Sequence, residues 1–218
     1  MYFDSRVAAG QELAALLAKK YKGEPCAIIA LGDGAVVVGA QIAVQLNCVL
    51  TMLMAESIML PRENTAIAGV SQDGSFSYNH QYSQGEIDEF VSEYYGFLEQ
   101  EKMTKIRQIH EHAHKGGLIR KDLLQEKNII LVSDGLSDGF ILDVTQQFLK
   151  TIHHKALIVA TPFASVPAVD RMHILADEIY CLNVIEDYFD TDHYYNAQDV
   201  PSHDKVIATV ERIVSNWK

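Results

Sequence analysis

The chain alternates short, largely apolar runs with longer stretches in which apolar residues recur at helical spacing. Apolar runs of roughly four to eight residues, bounded by Gly, Pro or Asp, are typical of strands buried on both faces of a parallel sheet. Five such runs occupy 26–31, 48–54, 128–132, 155–161 and 178–182. The stretches between them predict helices over 4–21, 35–46 and 86–114, one that ends near 151, one between the last two strands, and one over 205–216.

Strands that alternate with helices predict an α/β fold with three layers, in which a mostly parallel five-stranded sheet lies between helices. Two further runs, 66–72 and 75–79, are joined by Asp73-Gly74 and predict a small β-hairpin. Segment 183–204 is acidic and aromatic, and we expect it to be irregular. It is interpreted either as a lid or as an excursion anchored by its aromatic residues. We expect one domain over 1–218.

Composition narrows the classes of function. The formal net charge is −11, which argues against sequence-independent binding of nucleic acid, because such binding needs a basic face. No apolar run approaches 18 residues, so no membrane span is expected. The amino terminus lacks the pattern of a signal peptide. The three scattered cysteines do not suggest a disulfide framework. Together these absences predict a cytoplasmic protein.

Glycine-rich or polar loops follow three of the predicted strands, and parallel sheets bind ligands at that edge. The first loop holds Gly32, Asp33 and Gly34, and the second holds Glu56 and Ser57. The third runs into a helix, where backbone amides can bind an anion. The same glycines also suit a plain tight turn. The third loop comprises Ser133, Asp134, Gly135, Leu136, Ser137, Asp138 and Gly139.

The order of these segments resembles the type I phosphoribosyltransferase family, in its stand-alone bacterial branch. The resemblance runs over nearly the whole chain through FDSRVAAGQELA, LGDGAVVVG, LMAESIMLP, AIAGVSQDG, KGG, IILVSDGLSDG and ADEIYCL. It implies the family's fold, magnesium as the cofactor of an active member, and a small phosphorylated ligand. Because the family usually pairs, it also allows a homodimer.

The family's phosphate-binding motifs are altered in this chain. The third loop of the family resembles Asp-Asp-Gly-x-Ala-Thr-Gly-x-Thr, in which the acids meet ribose and the small residues bind phosphate. Here Ser133 stands for the first acid and Asp134 for the second, and Asp138 stands among the phosphate-binding residues. Arginine of the family's first loop corresponds to Asp33, and arginine of the second to Glu56. Each of the three loops therefore carries a carboxylate where the family would hold a phosphate.

Three functions follow from these residues. The first is a protein without ordinary transferase activity that serves as a ligand-binding or regulatory module. The second is an active transferase of nucleotide metabolism that uses magnesium and backbone amides in place of the lost cations. The third, more distant, is a zinc-dependent hydrolase, because His110, Glu111 and His114 match the H-E-x-x-H pattern. Solvated surface histidines are the simpler interpretation of that pattern.

Overall fold

The computed structural model describes residues 2–61, 65–113, 119 and 121–215, with no side chains described at 112, 113, 214 and 215. A five-stranded, wholly parallel sheet forms its centre, in the order β2-β1-β6-β7-β8. The strands are β1 (Cys26–Ala30), β2 (Val49–Met52), β6 (Asn128–Val132), β7 (Ala156–Ser165) and β8 (Glu178–Ile185). The α/β prediction, including the five central strands, is confirmed.

Helices cover both faces of this sheet because successive side chains of a strand point to opposite faces. Ile28 and Ile130 belong to the core under α1 and α2, whereas Ile29 and Leu131 belong to the core under α4 and α5. Both cores are buried. The helices are α1 (Arg6–Tyr21), α2 (Asp33–Leu46), α3 (Gln84–Ala113), α4 (Phe140–Leu149), α5 (Val166–Leu175) and α6 (His203–Ser215).

The predicted hairpin is part of a small antiparallel sheet with three strands, in the order β3-β4-β5. These are β3 (Ala55–Met59), β4 (Ala66–Ser71) and β5 (Phe76–Tyr78). The sequence prediction was wrong in treating 55–57 as a loop. These residues belong to β3, in which Ile58 packs into the core with α3. Glu56 and Ser57 of the same strand pair with β4. That pairing gives the segment its extended form.

Two other boundaries differ from prediction. Strand β7 runs to Ser165 rather than to 161, and β8 runs to Ile185 rather than to 182, because the two strands continue to pair as far as Ser165 and Ile185. The segment predicted as irregular therefore begins as a strand and contains a 3-10 turn at Asp192–Tyr194. The predicted ends of α3 at 114 and of α6 at 216 lie outside the described residues.

All three cysteines are free thiols, in keeping with the sequence prediction. Within the described part of the chain, no helix is both long enough and apolar enough to cross a membrane.

Candidate functional site

The third candidate loop connects the buried strand β6 to α4, as predicted. The backbone amides in its first half are already hydrogen-bonded within the protein. The Gly135 amide donates to Ser133 Oγ at 3.2 Å, and the Leu136 amide donates to the Phe163 carbonyl at 3.0 Å. Gly139 ends the loop in a left-handed conformation (φ +75°), which glycine adopts without strain. The loop therefore has the compact strand-to-helix form that the sequence predicts.

Asp138 lies at the amino end of α4, where the family resemblance places a phosphate. Its Oδ1 accepts a hydrogen bond from the Phe140 amide at 2.9 Å. Within the described residues, the amides of Ser137, Asp138 and Gly139 donate no hydrogen bond. The helix end thus offers free amides, but a carboxylate of this chain already occupies one of the donors.

Asp134 is bound by Arg6, a residue at the start of α1 that sequence analysis did not select. Arg6 is 1% exposed, and its Nε donates to Asp134 Oδ2 at 2.7 Å. The same guanidinium donates to Asp199 Oδ1 at 3.2 Å and to Asp192 Oδ1. Three carboxylates thus share one buried cation. We call Arg6, Asp134, Asp192 and Asp199 the Arg6 cluster.

Burial and the hydrogen bonds within the Arg6 cluster together set the pKa values of its members. Burial raises the pKa of Asp134, although the hydrogen bond from Arg6 opposes the shift. Burial disfavours the charged guanidinium and by itself would lower the pKa of Arg6. The hydrogen bonds from Arg6 to the three carboxylates outweigh burial and raise the pKa above its ordinary value. The carboxyl that the family resemblance assigns to ribose is therefore engaged inside the protein.

The carboxyl-terminal segment covers this loop. The Tyr195 ring lies 4.4 Å from the Arg6 guanidinium carbon, and its hydroxyl donates to the Asp134 carbonyl at 2.7 Å. A Cβ built on Gly135 would stand 2.3 Å from the Tyr188 hydroxyl, so this position needs glycine. Burial raises the pKa of Tyr188 to about 12. Tyr194 and Tyr195 are buried with Phe163, which fits the interpretation of an excursion anchored by aromatic residues.

The first candidate loop is in contact with the third. Gly32 precedes α2 with φ +130°, and Asp33 begins the helix with Oδ1 3.0 Å from His203 Nδ1. A Cβ built on Gly34 would stand 2.0 Å from Asp134 Oδ2. The close approach of these two loops therefore depends on glycine at 34.

The second candidate group lies on β3 rather than in a loop. Glu56 pairs with Val70 and Ser57 with Gly69 across the small sheet. The side chain of Glu56 is 43% exposed, and one of its oxygens lies 3.5 Å from Lys105 Nζ on α3. Such an exposed pair contributes little to stability.

The three groups border one cleft at the carboxyl edge of the large sheet. One cavity, of about 370 Å³, is lined by Asp33 of the first group and Glu56 of the second. A second cavity, of about 290 Å³, is lined by Glu56, Ser57 and residues 133–138. Leu31, Ala55, Glu56 and Ile141 line both. The predicted site residues thus border one cleft, except that Gly34 and Gly139 line neither cavity.

The histidine pattern on α3 gives no metal site within the described residues. His110 Nε2 lies 2.9 Å from the Gln72 carbonyl, and the Arg107 guanidinium lies 3.9 Å from Glu111. His114 lies outside the described residues. No group of three or more His, Cys, Asp or Glu side chains in the described part of the chain is arranged to hold a metal ion.

Comparison with known proteins shows which proteins the chain is similar to. No protein-family model matches the chain. Over 212 residues it is 24% identical to a protein named "putative phosphoribosyl transferase" in two strains of Mycobacterium tuberculosis. The match covers 96% of this chain and 46% of those proteins, so the chain spans about half the length of the curated relatives it matches.

One solved structure shares the architecture of nearly the whole chain. TT1426 from Thermus thermophilus superposes with a TM-score of 0.75 and 22% identity, covering 97% of this chain and 99% of that one. A hypoxanthine phosphoribosyltransferase from Staphylococcus aureus gives a TM-score of 0.49 and 14% identity, over 87% and 78% of the two chains. The chain is therefore similar in sequence to proteins named as phosphoribosyl transferases, and it shares the fold of TT1426.

This fold brings together residues that are far apart in the sequence. Arg6 is 128 residues from Asp134 and 193 from Asp199, and each lies in a different segment of the chain. A local pattern could not have identified this arginine as a partner of the third loop. Arg6 stands at the start of an amphipathic helix, where a charged side chain is ordinarily expected to face solvent. Its position in the sequence therefore gave no sign that it would be buried.

Proposed function

We propose that this phosphoribosyltransferase-like chain lacks ordinary transferase activity and acts as a ligand-binding or regulatory module. The observation that carries the proposal is the Arg6 cluster, because Asp134 is the acid that the resemblance assigns to ribose. In the Arg6 cluster that carboxyl hydrogen-bonds to Arg6 inside the fold. A ribose hydroxyl bound there would have to share this carboxylate with Arg6, which already donates to Oδ2.

The charge of the cleft supports the same proposal. Neither cavity is lined by a Lys or Arg side chain among the described residues, whereas Asp33, Glu56 and Asp138 line one or both. A pyrophosphate ester needs positive charge or well-directed amides to offset its own charge. Like charges about 4 Å apart repel by about 4 kcal/mol at an effective dielectric constant near 20. Micromolar affinity amounts to only about 8 kcal/mol.

Magnesium does not find a suitable set of side chains here. The first acid of the family's pair is Ser133, which is buried and bonded to Gly135, and the second is engaged by Arg6. The described residues offer no group of three or more His, Cys, Asp or Glu side chains arranged to hold a metal ion. The side chains present therefore do not fit a magnesium ion held by the protein alone.

One observation favours the alternative, an active transferase. The amides of Ser137, Asp138 and Gly139 donate no hydrogen bond within the described residues and lie at the amino end of α4. A 5′-phosphate placed there could accept hydrogen bonds from them. In that case Asp138 would have to turn away from the Phe140 amide.

Calorimetry with phosphoribosyl pyrophosphate and excess magnesium separates the two candidates. We expect no binding up to about millimolar concentrations, which corresponds to less than about 4 kcal/mol of binding energy. The control is Asp138→Asn, which keeps an oxygen acceptor for the Phe140 amide but removes the charge. If this variant binds weakly where the unaltered protein does not, the result would support the inference that the charge of Asp138 repels the phosphate. Micromolar binding by the unaltered protein would contradict the proposal.

A further inference from the structure

We propose that the cleft binds a small, largely apolar molecule that carries a positive charge, such as an organic amine. The inference rests on the proposed function and deepens it, because it names the class of ligand that the altered cleft accepts. It is carried by two separate properties of the cleft, its apolar floor and the sign of the charge around it.

The larger cavity has the size and lining of a small-molecule site. Its volume of about 370 Å³ falls within the range of about 300–1,000 Å³ that is common for such sites. Methionine side chains adapt to ligands of irregular shape, and two of them contribute to the lining. The apolar floor consists of Leu31, Met52, Leu53, Met54, Ile109 and Ile141. An aromatic or aliphatic ligand would bury its carbon skeleton against this floor.

The charge around the cleft is strongly negative. Among the described residues, Lys105 pairs with Glu56, and Arg6 is shared by the three carboxylates of the Arg6 cluster. Arg171 contacts the loop near Gly139, but its guanidinium is held by Asp143 outside the cleft. The carboxylates that line or adjoin the cleft are Asp33, Glu56, Asp134, Asp138, Asp192 and Asp199.

Among the described residues, these carboxylates outnumber Lys105 and Arg6 even if His203, beside Asp33, is counted as charged. Asp138 is bonded only to a backbone amide among the described residues, so its charge has no cationic partner there. A cationic ligand would therefore be attracted to the rim of the cleft and an anionic one repelled. The apolar floor then selects among cations by favouring those with a hydrocarbon portion.

A matched set of probes tests this inference. Phenethylamine, 2-phenylethanol and 3-phenylpropionate share an aromatic ring on a short chain and differ in charge. Binding is measured by calorimetry or by NMR titration of the full chain at low ionic strength. We expect the amine to bind at least about tenfold more tightly than the carboxylate, with the alcohol between them, and the difference to shrink as salt is added.

Two variants place the binding in the cleft. Glu56→Gln and Asp138→Asn remove charge from the rim, and each should reduce the preference for the amine severalfold. The matched control is Glu12→Gln, an exposed acid on α1 that lines neither cavity. It should leave all three affinities unchanged.

The inference would be overturned by a carboxylate that binds as tightly as the amine, or by an amine preference that survives both rim variants. It would also fall if none of the three probes bound at about 10 mM. In that last case the proposed function would still stand if phosphoribosyl pyrophosphate also failed to bind. Micromolar binding of phosphoribosyl pyrophosphate would instead overturn the proposed function itself.

Discussion

The two ends of the cleft hold their negative charge in different ways. At one end Asp134 is fixed by the buried Arg6 and covered by Tyr195. At the other end Asp33 and Glu56 keep about a third or more of their side chains exposed, and each faces a single partner. Both ends are acidic, but only the first is built into the core.

This difference separates stability from binding. A buried charge that loses its partner destabilises the fold, because water cannot replace that partner. An exposed charge that loses its partner is solvated by water instead. Removing an exposed charge therefore changes the electric field around a ligand but has little effect on the stability of the fold. We therefore expect variants at the Arg6 end to unfold more readily, and variants at the Glu56 end to change ligand preference.

The largest effect should come from Arg6→Met, which keeps much of the side-chain volume but removes the cation. Three carboxylates would lose their shared donor, and the free energy of unfolding should fall by about 3 kcal/mol. Urea denaturation followed by circular dichroism measures the change. The control is Arg107→Met on α3, because the side chain of Arg107 is 70% exposed. Equal losses in both variants would contradict the role given to the Arg6 cluster.

A smaller loss is expected for Gly34→Ala. The added methyl group would lie 2.0 Å from Asp134 Oδ2 and 2.8 Å from Arg6 Nε, so the first and third loops would have to separate. We expect a loss of roughly 1–3 kcal/mol, as is usual when a close-packed position is overfilled. Gly85→Ala on α3 is the control, since its added methyl group meets no atom within 4 Å. A Gly34 variant as stable as the Gly85 variant would show that the two loops separate freely.

The smallest effect on stability is expected at the exposed end. Glu56→Gln removes one partner of Lys105, yet the free energy of unfolding should change by less than about 0.5 kcal/mol. Thermal unfolding of this variant beside the unaltered protein measures it. A loss comparable to that of Arg6→Met would mean that both ends of the cleft are structural.

Much of the fold could be predicted because its signals are local. The buried parallel strands appear as apolar runs, and Asp73-Gly74 marks the turn between β4 and β5. Strand β3 was missed because its residues are mixed in polarity and its extended form depends on pairing with β4, which follows later in the chain. The candidate site residues were brought together by sheet topology, since the ends of parallel strands meet at one edge.

The sequence by itself determined the alternation of strands and helices and the acidic residues that follow β1, β2 and β6. Each of these depends on neighbours in the chain, so composition and periodicity are enough to reveal it. Only the tertiary structure decided that Asp134 is bound by Arg6, because that contact joins residues 128 positions apart. Whether an acidic side chain faces a ligand or a buried cation depends on packing, and packing is absent from the local pattern.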